Sequence, residues 1–216
     1  MVWRRQRSGM IFPAATGGLT TLSFIASTIA DADSITAPAS INSGDLLVMF
    51  DYSGKPSGGG TPTGFTNIFD TSGAYVDIIA SYKIADGTED SSSITGLTGG
   101  YAGLKIIQQF RGDDTISSIS AQDIASQVTD GDPSTQTCNA SLGSSPLIVF
   151  GMYGSHDTIS TRTFSPTEDG ETDNTGSAEQ LHAKYKIYNS SPADVTIDMG
   201  AVDFQNALGS FYLEAS

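Results

Sequence analysis

Two histidines are the residues best suited to acid–base chemistry in this chain of 216 residues. His156 stands in the sequence GSHDT and His182 in QLHAK. A hydrolytic site would need one of them beside a serine nucleophile and an orienting carboxylate. Ser155 directly precedes His156, but neighbouring residues of a strand point to opposite faces, so this adjacency disfavours a catalytic pair. Both histidines are therefore expected in solvated loops.

Acidic turns could bind calcium, which prefers several oxygen ligands from one flexible loop. The acidic segments are DADS (31–34), DGTED (86–90), DGDPS (130–134) and TEDGETDN (167–174). None follows the D-x-[DN]-x-[DN]-G pattern of calcium loops. The segment at 167–174 comes nearest, because Glu168, Asp169, Glu171 and Asp173 are within reach of one another. It is a weak calcium candidate, the alternative being a simple solvated loop, and no other metal site is expected.

The remaining chemical motifs are also weak. Cys138 is the only cysteine, so no intrachain disulfide can form, and TQTCNAS offers no neighbour that would lower its pKa. It is expected to be a small strand residue. FRGDD contains Arg-Gly-Asp at 111–113, but three letters recur by chance, and Arg111 is expected to close a strand. No phosphate loop, zinc pattern or nucleotide fingerprint occurs. We therefore expect a protein that is not an enzyme and needs no cofactor.

The net charge of −14 is unevenly distributed. Arg4, Arg5 and Arg7 lie in the first seven residues, so the rest of the chain carries 24 acidic against 7 basic side chains, a charge of −17. Such a body would repel nucleic acid and an anionic membrane surface. No segment approaches the ~20 apolar residues that span a bilayer. Neither nucleic acid nor membrane is therefore expected as a partner.

The elements that would position these residues are short strands. Apolar bursts such as TLSFIASTI, GDLLVMFDYS, YVDIIASYKIA and AGLKIIQQFRG are bounded by clusters of Gly, Asp and Ser. Only SAQDIASQV and SAEQLHAKY could carry a short helical turn. This pattern predicts an all-β chain, an antiparallel β-sandwich of jelly-roll or immunoglobulin-like type.

An internal repeat of about 100 residues organises these strands. ASYKIADG (80–87) matches AKYKIYNS (183–190), and DLLVMFDYSG (45–54) matches PLIVFGMYGS (146–155). The second half of the sequence also contains, in the same order, counterparts of three further segments of the first half, namely ASTIADADSITAPAS, SSSITGL and AGLKIIQQF. The matches predict two pseudo-repeats, at about 21–115 and 116–216. Two tandem sandwiches and one larger sandwich remain alternatives. Residues 111–120 lack the Pro and Gly that are typical of a hinge, which favours a single body that spans residues 21–216.

Residues 1–20 form a predicted extended N-terminal arm, basic at first and then rich in Gly, Pro and Ala. Such a segment cannot bury enough surface to fold by itself. It would have to be held by a partner. The candidate partner-binding residues are Trp3, Arg4, Arg5, Arg7, Met10, Ile11 and Phe12.

Over about residues 22–216 the chain resembles a group of bacteriophage virion proteins. The resemblance rests on the collinear segments SITAPASINSGDLLVMFDYSG, TPTGFTNI, ASYKIADGTEDSSSITGL and KIIQQFRGD, which fit the pattern GDLLV, P-x-G-F/W-T, YK-[IV]-A and FRG. It also extends to PLIVFGMYGS and KYKIYNSSPADVTIDM. The resemblance implies a structural protein on the surface of the particle, and it brings no catalytic motif.

The leading hypothesis is a capsid decoration or cement protein, anchored through its arm to other virion proteins and forming a homo-oligomer on the particle. The runner-up is a tail-associated or fibre-like module that binds a host surface glycan or receptor. Such a site would need aromatic platforms near loops. Tyr52, Tyr75, Tyr101, Tyr153 and Phe65 are the candidates for this role.

Overall fold

The computed structural model describes residues 18–53, 60–74, 76–95, 103–159, 161–176, 179–200 and 205–216. Within these ranges the chain forms strands and one short 3-10 helix but no α-helix. The elements are β1 (Leu22–Asp31), β2 (Ile35–Thr36), β3 (Leu46–Ser53), β4 (Thr66–Ser72), β5 (Asp77–Ile84), β6 (Ser93–Ile94), β7 (Gly103–Gly112), β8 (Ile119–Thr129), β9 (Gln136–Cys138), the 3-10 turn (Ala140–Leu142), β10 (Leu147–Ser155), β11 (Arg162–Ser165), β12 (Gly170–Thr175), β13 (Gln180–Tyr188), β14 (Val195–Met199) and β15 (Asn206–Ala215).

The prediction of an all-β chain with antiparallel sheets is confirmed, because every strand pair is antiparallel. The two helical alternatives are wrong. The segment SAQDIASQV lies within β8, and the described part of SAEQLHAKY runs into β13. Pairing with a neighbouring strand decides these segments, since weak helical periodicity is easily overridden by tertiary context.

Two large sheets share one strand order. The first runs β1-β7-β3-β5-β4 and the second, read from its opposite edge, runs β8-β15-β10-β13-β12. β1 and β8 therefore occupy equivalent edges, and both are interrupted by a register shift. Such irregularities protect an exposed edge from pairing with another chain.

Side chains of both large sheets form one hydrophobic core. Phe50 and Phe110 of the first sheet meet Phe150 of the second, with ring centroids 5.8 and 5.5 Å apart. Polar contacts also cross between the sheets, for example the hydrogen bond of 3.0 Å from Gln108 Nε2 to the carbonyl oxygen of Ala183. The core therefore joins residues from both halves of the sequence.

Two small sheets cover the outer faces of the large ones. β2 and β6 pair and pack with Leu47, Met49 and Ile107, whereas β11, β14 and β9 pack on residues such as Leu147 and Val149. β3 and β10 are consequently buried on both faces. This explains their near-continuous apolar sequences, since a strand buried on both sides shows no alternation.

Candidate functional site

The N-terminal segment enters the body at one end of the two large sheets, called here the arm end. β1 begins there at Leu22, opposite Gly112 at the end of β7, and β8 begins at Ile119 opposite Ala215 of β15. Residues 18–21 lead into β1 from this end. The predicted partner-binding residues of the arm, namely Trp3, Arg4, Arg5, Arg7, Met10, Ile11 and Phe12, lie outside the described residues.

Asp113 holds the segment that precedes β1. Its Oδ1 accepts hydrogen bonds of 2.9 Å from the backbone N–H groups of both Thr20 and Thr21, and its Oδ2 accepts one from the Thr20 hydroxyl. The Thr20 hydroxyl, together with the two backbone N–H groups, holds the pKa of Asp113 well below its usual range. The carboxylate is therefore charged whenever the body is folded near neutral pH.

Asn189 fixes the next residue from the other sheet. Its Oδ1 accepts a 2.7 Å hydrogen bond from the N–H of Leu22, and its Nδ2 donates to the Leu22 carbonyl oxygen at 3.2 Å. The side-chain amide thus replaces a strand partner for this one residue. Asn189 begins an Asn-Ser-Ser glycosylation sequence, and here the amide is engaged by the fold itself.

Leu19 adds an apolar anchor to these polar ones. It is half-buried and packs against the core shared by the two large sheets. A side chain at Gly112 would overlap Leu19 and the carbonyl oxygen of Asp114, so this position needs glycine for close approach. The path of residues 19–22 over the body is therefore set by packing as well as by hydrogen bonds.

Arg111 and Asp113 of the Arg-Gly-Asp sequence both serve the fold. Arg111 lies near the end of β7, as expected for a residue that closes a strand, and its Nε and Nη2 each donate a 2.7 Å hydrogen bond to the carboxylate of Asp45. Burial alone would raise the pKa of Asp45, but the hydrogen bonds from Arg111, the Asn42 N–H and Gln109 lower it. With Asp113 holding Thr20, neither charged group is presented as a free adhesion motif.

The C-terminus lies at the same arm end. The N–H groups of Ser117 and Ser118 donate to the carbonyl oxygen of Ser216 at 2.7 and 2.9 Å, and the N–H of Ser216 donates back to Ser118. The connection between the two halves, the start of β1 and the chain end therefore form one continuous region. The sequence does not predict that Asp113, Asn189 and Leu19 belong to this region. The one signal it contains is the FRGDD motif, which includes Asp113.

His182 contradicts the expectation of a solvated loop. It lies in β13 and is only 4% exposed, with Nδ1 2.6 Å from Asp173 Oδ1 and 3.7 Å from Glu171 Oε1. Burial lowers its pKa, against the opposing effect of Asp173, and the nearby Arg162 lowers it further. The imidazole is therefore neutral near pH 7. His156, in contrast, follows β10 in a loop.

The residues of the calcium candidate are engaged by cations of the chain. Lys184 Nζ lies 2.9 Å from Glu168, Lys186 lies 3.2 Å from Asp169, and Arg162 Nε lies 2.9 Å from Glu171. Among the described residues the three groups that could hold an ion together are Glu171, Asp173 and His182. A cation bound there would compete with Arg162 and Lys184. The calcium site stays a prediction, and these ion pairs do not favour it.

Serine and cysteine chemistry is not supported by the contacts at these positions. Ser155 is fully buried, donates to Asn206 Oδ1 at 2.9 Å and accepts from the N–H of Asp157. Cys138 ends β9 and is fully buried, as predicted for a small strand residue. Burial raises the pKa of the Cys138 thiol far above its ordinary value, so the reactive thiolate is suppressed.

Two of the five aromatic residues predicted as platforms for glycan binding are buried in the fold, so the prediction is wrong for these two. Tyr52 and Tyr153 are fully buried, and their hydroxyls donate to the carbonyl oxygens of Gln205 and Thr163. Tyr75 and Tyr101 lie outside the described residues. Phe65 alone is placed beside a cleft, partly buried against the cluster under β2 and β6.

Comparison with protein-family models, with curated proteins and with solved structures finds no match for the chain. Within the described ranges, no helix has the length and apolar character that crossing a bilayer requires. Any function assigned to the chain therefore rests on its own geometry and on the segments that carry the resemblance.

Proposed function

We propose that the protein is a structural component of a phage virion, a capsid decoration or cement protein that attaches through its N-terminal arm. The observation that carries the proposal is the anchoring of residues 19–22 by Asp113, Asn189 and the shared core. This anchoring gives residues 1–18 a fixed point of departure from the arm end. A tether with a fixed origin can reach a defined groove between neighbouring subunits.

The amino-acid compositions of the arm and of the rest of the chain support attachment through the arm. The arm carries Arg4, Arg5 and Arg7, whereas the rest of the chain has a charge of −17. Burying apolar residues such as Trp3, Ile11 and Phe12 between shell subunits would contribute on the order of 1.5–3 kcal/mol each. Many copies on one particle would convert a modest single contact into particle-level stability.

The body is, in this proposal, one antiparallel β-sandwich of two pseudo-repeats related by an approximate twofold axis. The identical strand order of the two large sheets and their shared aromatic core support it. The contacts at the sheet edges also support it, since β1 lies against β12 and β4 against β8. A double-sheet body of this kind is suited to a scaffold, because the facing sides of its two sheets share one core.

The experiment uses particles of the phage that encodes the chain, prepared without it. The full chain and a variant lacking residues 1–18 are mixed with these particles and sedimented. We expect the truncated body to unfold at the same temperature as the full chain yet to remain in the supernatant. Sedimentation of the truncated body with the particles would contradict the proposal.

Copy number separates this proposal from the tail-associated alternative. A decoration protein would be present in hundreds of copies per particle, whereas a tail component would be present in six or fewer. Quantitative mass spectrometry of purified particles distinguishes these cases directly.

A further inference from the structure

A polar cleft of about 240 Å³ lies beside β5 and β6 on the first half of the body. Its walls include Phe65, Lys83, Thr88, Glu89, Ser93 and Thr95. These residues come from the segments PTGF, YKIADGTED and SSSIT, which also carry the resemblance to virion proteins. Neither the anchoring of the arm nor the shared core uses this cleft.

One wall is a tight turn that presents an aromatic ring. The N–H of Phe65 donates to the carbonyl oxygen of Pro62 at 3.0 Å, and Gly64 has a φ of +84°, which suits glycine at the third position of the turn. Asn67 Nδ2 donates to Thr61 Oγ1 at 2.9 Å and closes the base of the turn. Phe65 packs on the cluster under β2 and β6, so its ring is supported from behind.

A second part of the lining is held by the carboxylate of Glu89, a residue only 6% exposed. Glu89 pairs with Lys83 and accepts a 3.1 Å hydrogen bond from the N–H of Gly87. The turn is tightened by Thr88, whose hydroxyl donates to Asp86 at 2.6 Å, and by the N–H of Ser92, which donates to the Glu89 carbonyl oxygen. Both parts of the lining are therefore preorganised, which lowers the cost of binding.

The chemistry of the cleft selects the kind of ligand. Thr88, Ser93 and Thr95, which carry hydroxyl groups, line it together with one aromatic residue, so the cleft can offer both hydrogen bonds and an apolar face; the Thr88 hydroxyl, which donates to Asp86, would act as an acceptor. Lys83 is shared between Glu89 and Asp86, so these groups together leave one negative charge that disfavours anions. We propose that this cleft binds one neutral sugar residue, stacked on Phe65 and hydrogen-bonded to the surrounding hydroxyls.

This inference goes beyond attachment through the arm and does not depend on it. A single small cleft with one aromatic contact would bind weakly, with a Kd on the order of 1 mM. Binding of the sugar itself needs no particle; where many copies are displayed together, the same weak contact would give effective adhesion to a neutral glycan surface.

The test is an amide NMR titration of the ¹⁵N-labelled full chain with glucose, galactose and N-acetylglucosamine, and with glucuronate as a charged comparison. We expect at least one neutral sugar to give saturable shifts at Phe65, Thr88 and Ser93. Phe65→Ala should weaken binding by roughly tenfold, the upper range for one aromatic contact. Ser93→Trp, which fills the cleft, should abolish it. Leu142→Ala is the control, because it removes an 83% exposed apolar side chain elsewhere and should leave binding unchanged.

The proposal is overturned if no neutral sugar gives saturable shifts at these residues, or if glucuronate binds more tightly than the neutral sugars. It is equally overturned if folded Ser93→Trp protein keeps the shifts. The variant lacking residues 1–18 should bind sugar as the full chain does. Failure of the sugar site and failure of attachment through the arm are therefore distinguishable.

Discussion

Arg111 binds the buried carboxylate of Asp45 with two hydrogen bonds of 2.7 Å, joining the end of β7 to the residue that precedes β3. The two residues belong to the FRG and GDLLV segments, which are separated by more than 50 positions in the sequence. The ion pair explains structurally why the FRG and GDLLV segments occur together, because each supplies one of its two partners. Arg111 Nη2 also donates to the Ser40 carbonyl oxygen at 2.9 Å, so the guanidinium ties a third segment to the arm end.

Arg111→Ala should destabilise the body by about 2 kcal/mol, because Asp45 would stay buried with Gln109 as its remaining side-chain donor. The cost is below that of a fully buried pair, since the Arg111 side chain is 34% exposed and partly screened by water. Urea denaturation measures the difference. Arg162→Ala is the control, because its pair with Glu171 is more exposed on the acidic side and should be worth about 1 kcal/mol or less. Equal losses of unfolding free energy in the two variants would contradict the larger contribution expected of the pair between Arg111 and Asp45.

Asp113→Ala should release residues 20–21 without unfolding the body. The change removes the acceptor of both backbone N–H groups, so the amides of Thr20 and Thr21 should exchange with deuterium much faster. Asp114→Ala is the matched control, since among the described residues the Asp114 carboxylate accepts a hydrogen bond only from the adjacent Thr115 N–H. Unchanged exchange in Asp113→Ala would show that Leu19 packing and the Asn189 amide suffice to hold the segment.

The sequence predicts the sheets better than it predicts their register. Two of the sequence matches disagree by one residue when they are placed on the strands. The match of DLLVMFDYSG with PLIVFGMYGS sets Met49 against Phe150, whereas the match of Tyr82 with Tyr185 sets Val48 against Phe150, because Val48 pairs with Tyr82 and Phe150 pairs with Tyr185. A shift of one residue moves a side chain to the other face of a sheet. β3 and β10 are buried on both faces, so their sequences contain no alternation that could have fixed the face.

The contacts at the arm end are harder to predict from the sequence than the strands, because they join residues that are distant in the chain. Strand formation depends on local pattern, whereas the partners of Asp113 and Asn189 lie 92 and 167 residues away along the chain. Short polar residues in turns have many possible partners, and only the folded sheets select among them. The same holds for His182, whose burial follows from the pairing of β12 with β13.

The free energy of unfolding should fall as the pH is lowered from about 7 to about 5. The reason is that His182 binds a proton more readily in the unfolded chain than in the folded one. Burial lowers the pKa of folded His182, whereas the unfolded residue titrates near the ordinary value of about 6.5. Its contribution is therefore complete above that pH and is lost below it. The carboxylates with lowered pKa values, such as Asp45 and Glu89, lose their contribution only at lower pH.

Denaturation curves at several pH values test this assignment. His182→Gln should flatten the dependence of the free energy of unfolding on pH between pH 7 and 5. A profile that is unchanged in His182→Gln would assign the pH dependence to other groups. The facing side chains Asp173, Glu171, Gln180 and Arg162 would then be the next to vary.

Gly154→Ala tests whether the two halves form one body. A Cβ at Gly154 of β10 would lie 2.8 Å from Cε2 of Tyr52 in β3, with another ring carbon closer still, so alanine should cost about 1–3 kcal/mol through overpacking. Gly131→Ala is the control, since no atom lies within 4 Å of a Cβ there. Tyr52→Ala removes the ring that the added methyl group would meet, although it also leaves a cavity. The double variant should therefore lose less stability than the sum of the single variants, with a coupling of about 1 kcal/mol or more. Two independent tandem domains would give no coupling between these positions, because residues 52 and 154 would then never share a core.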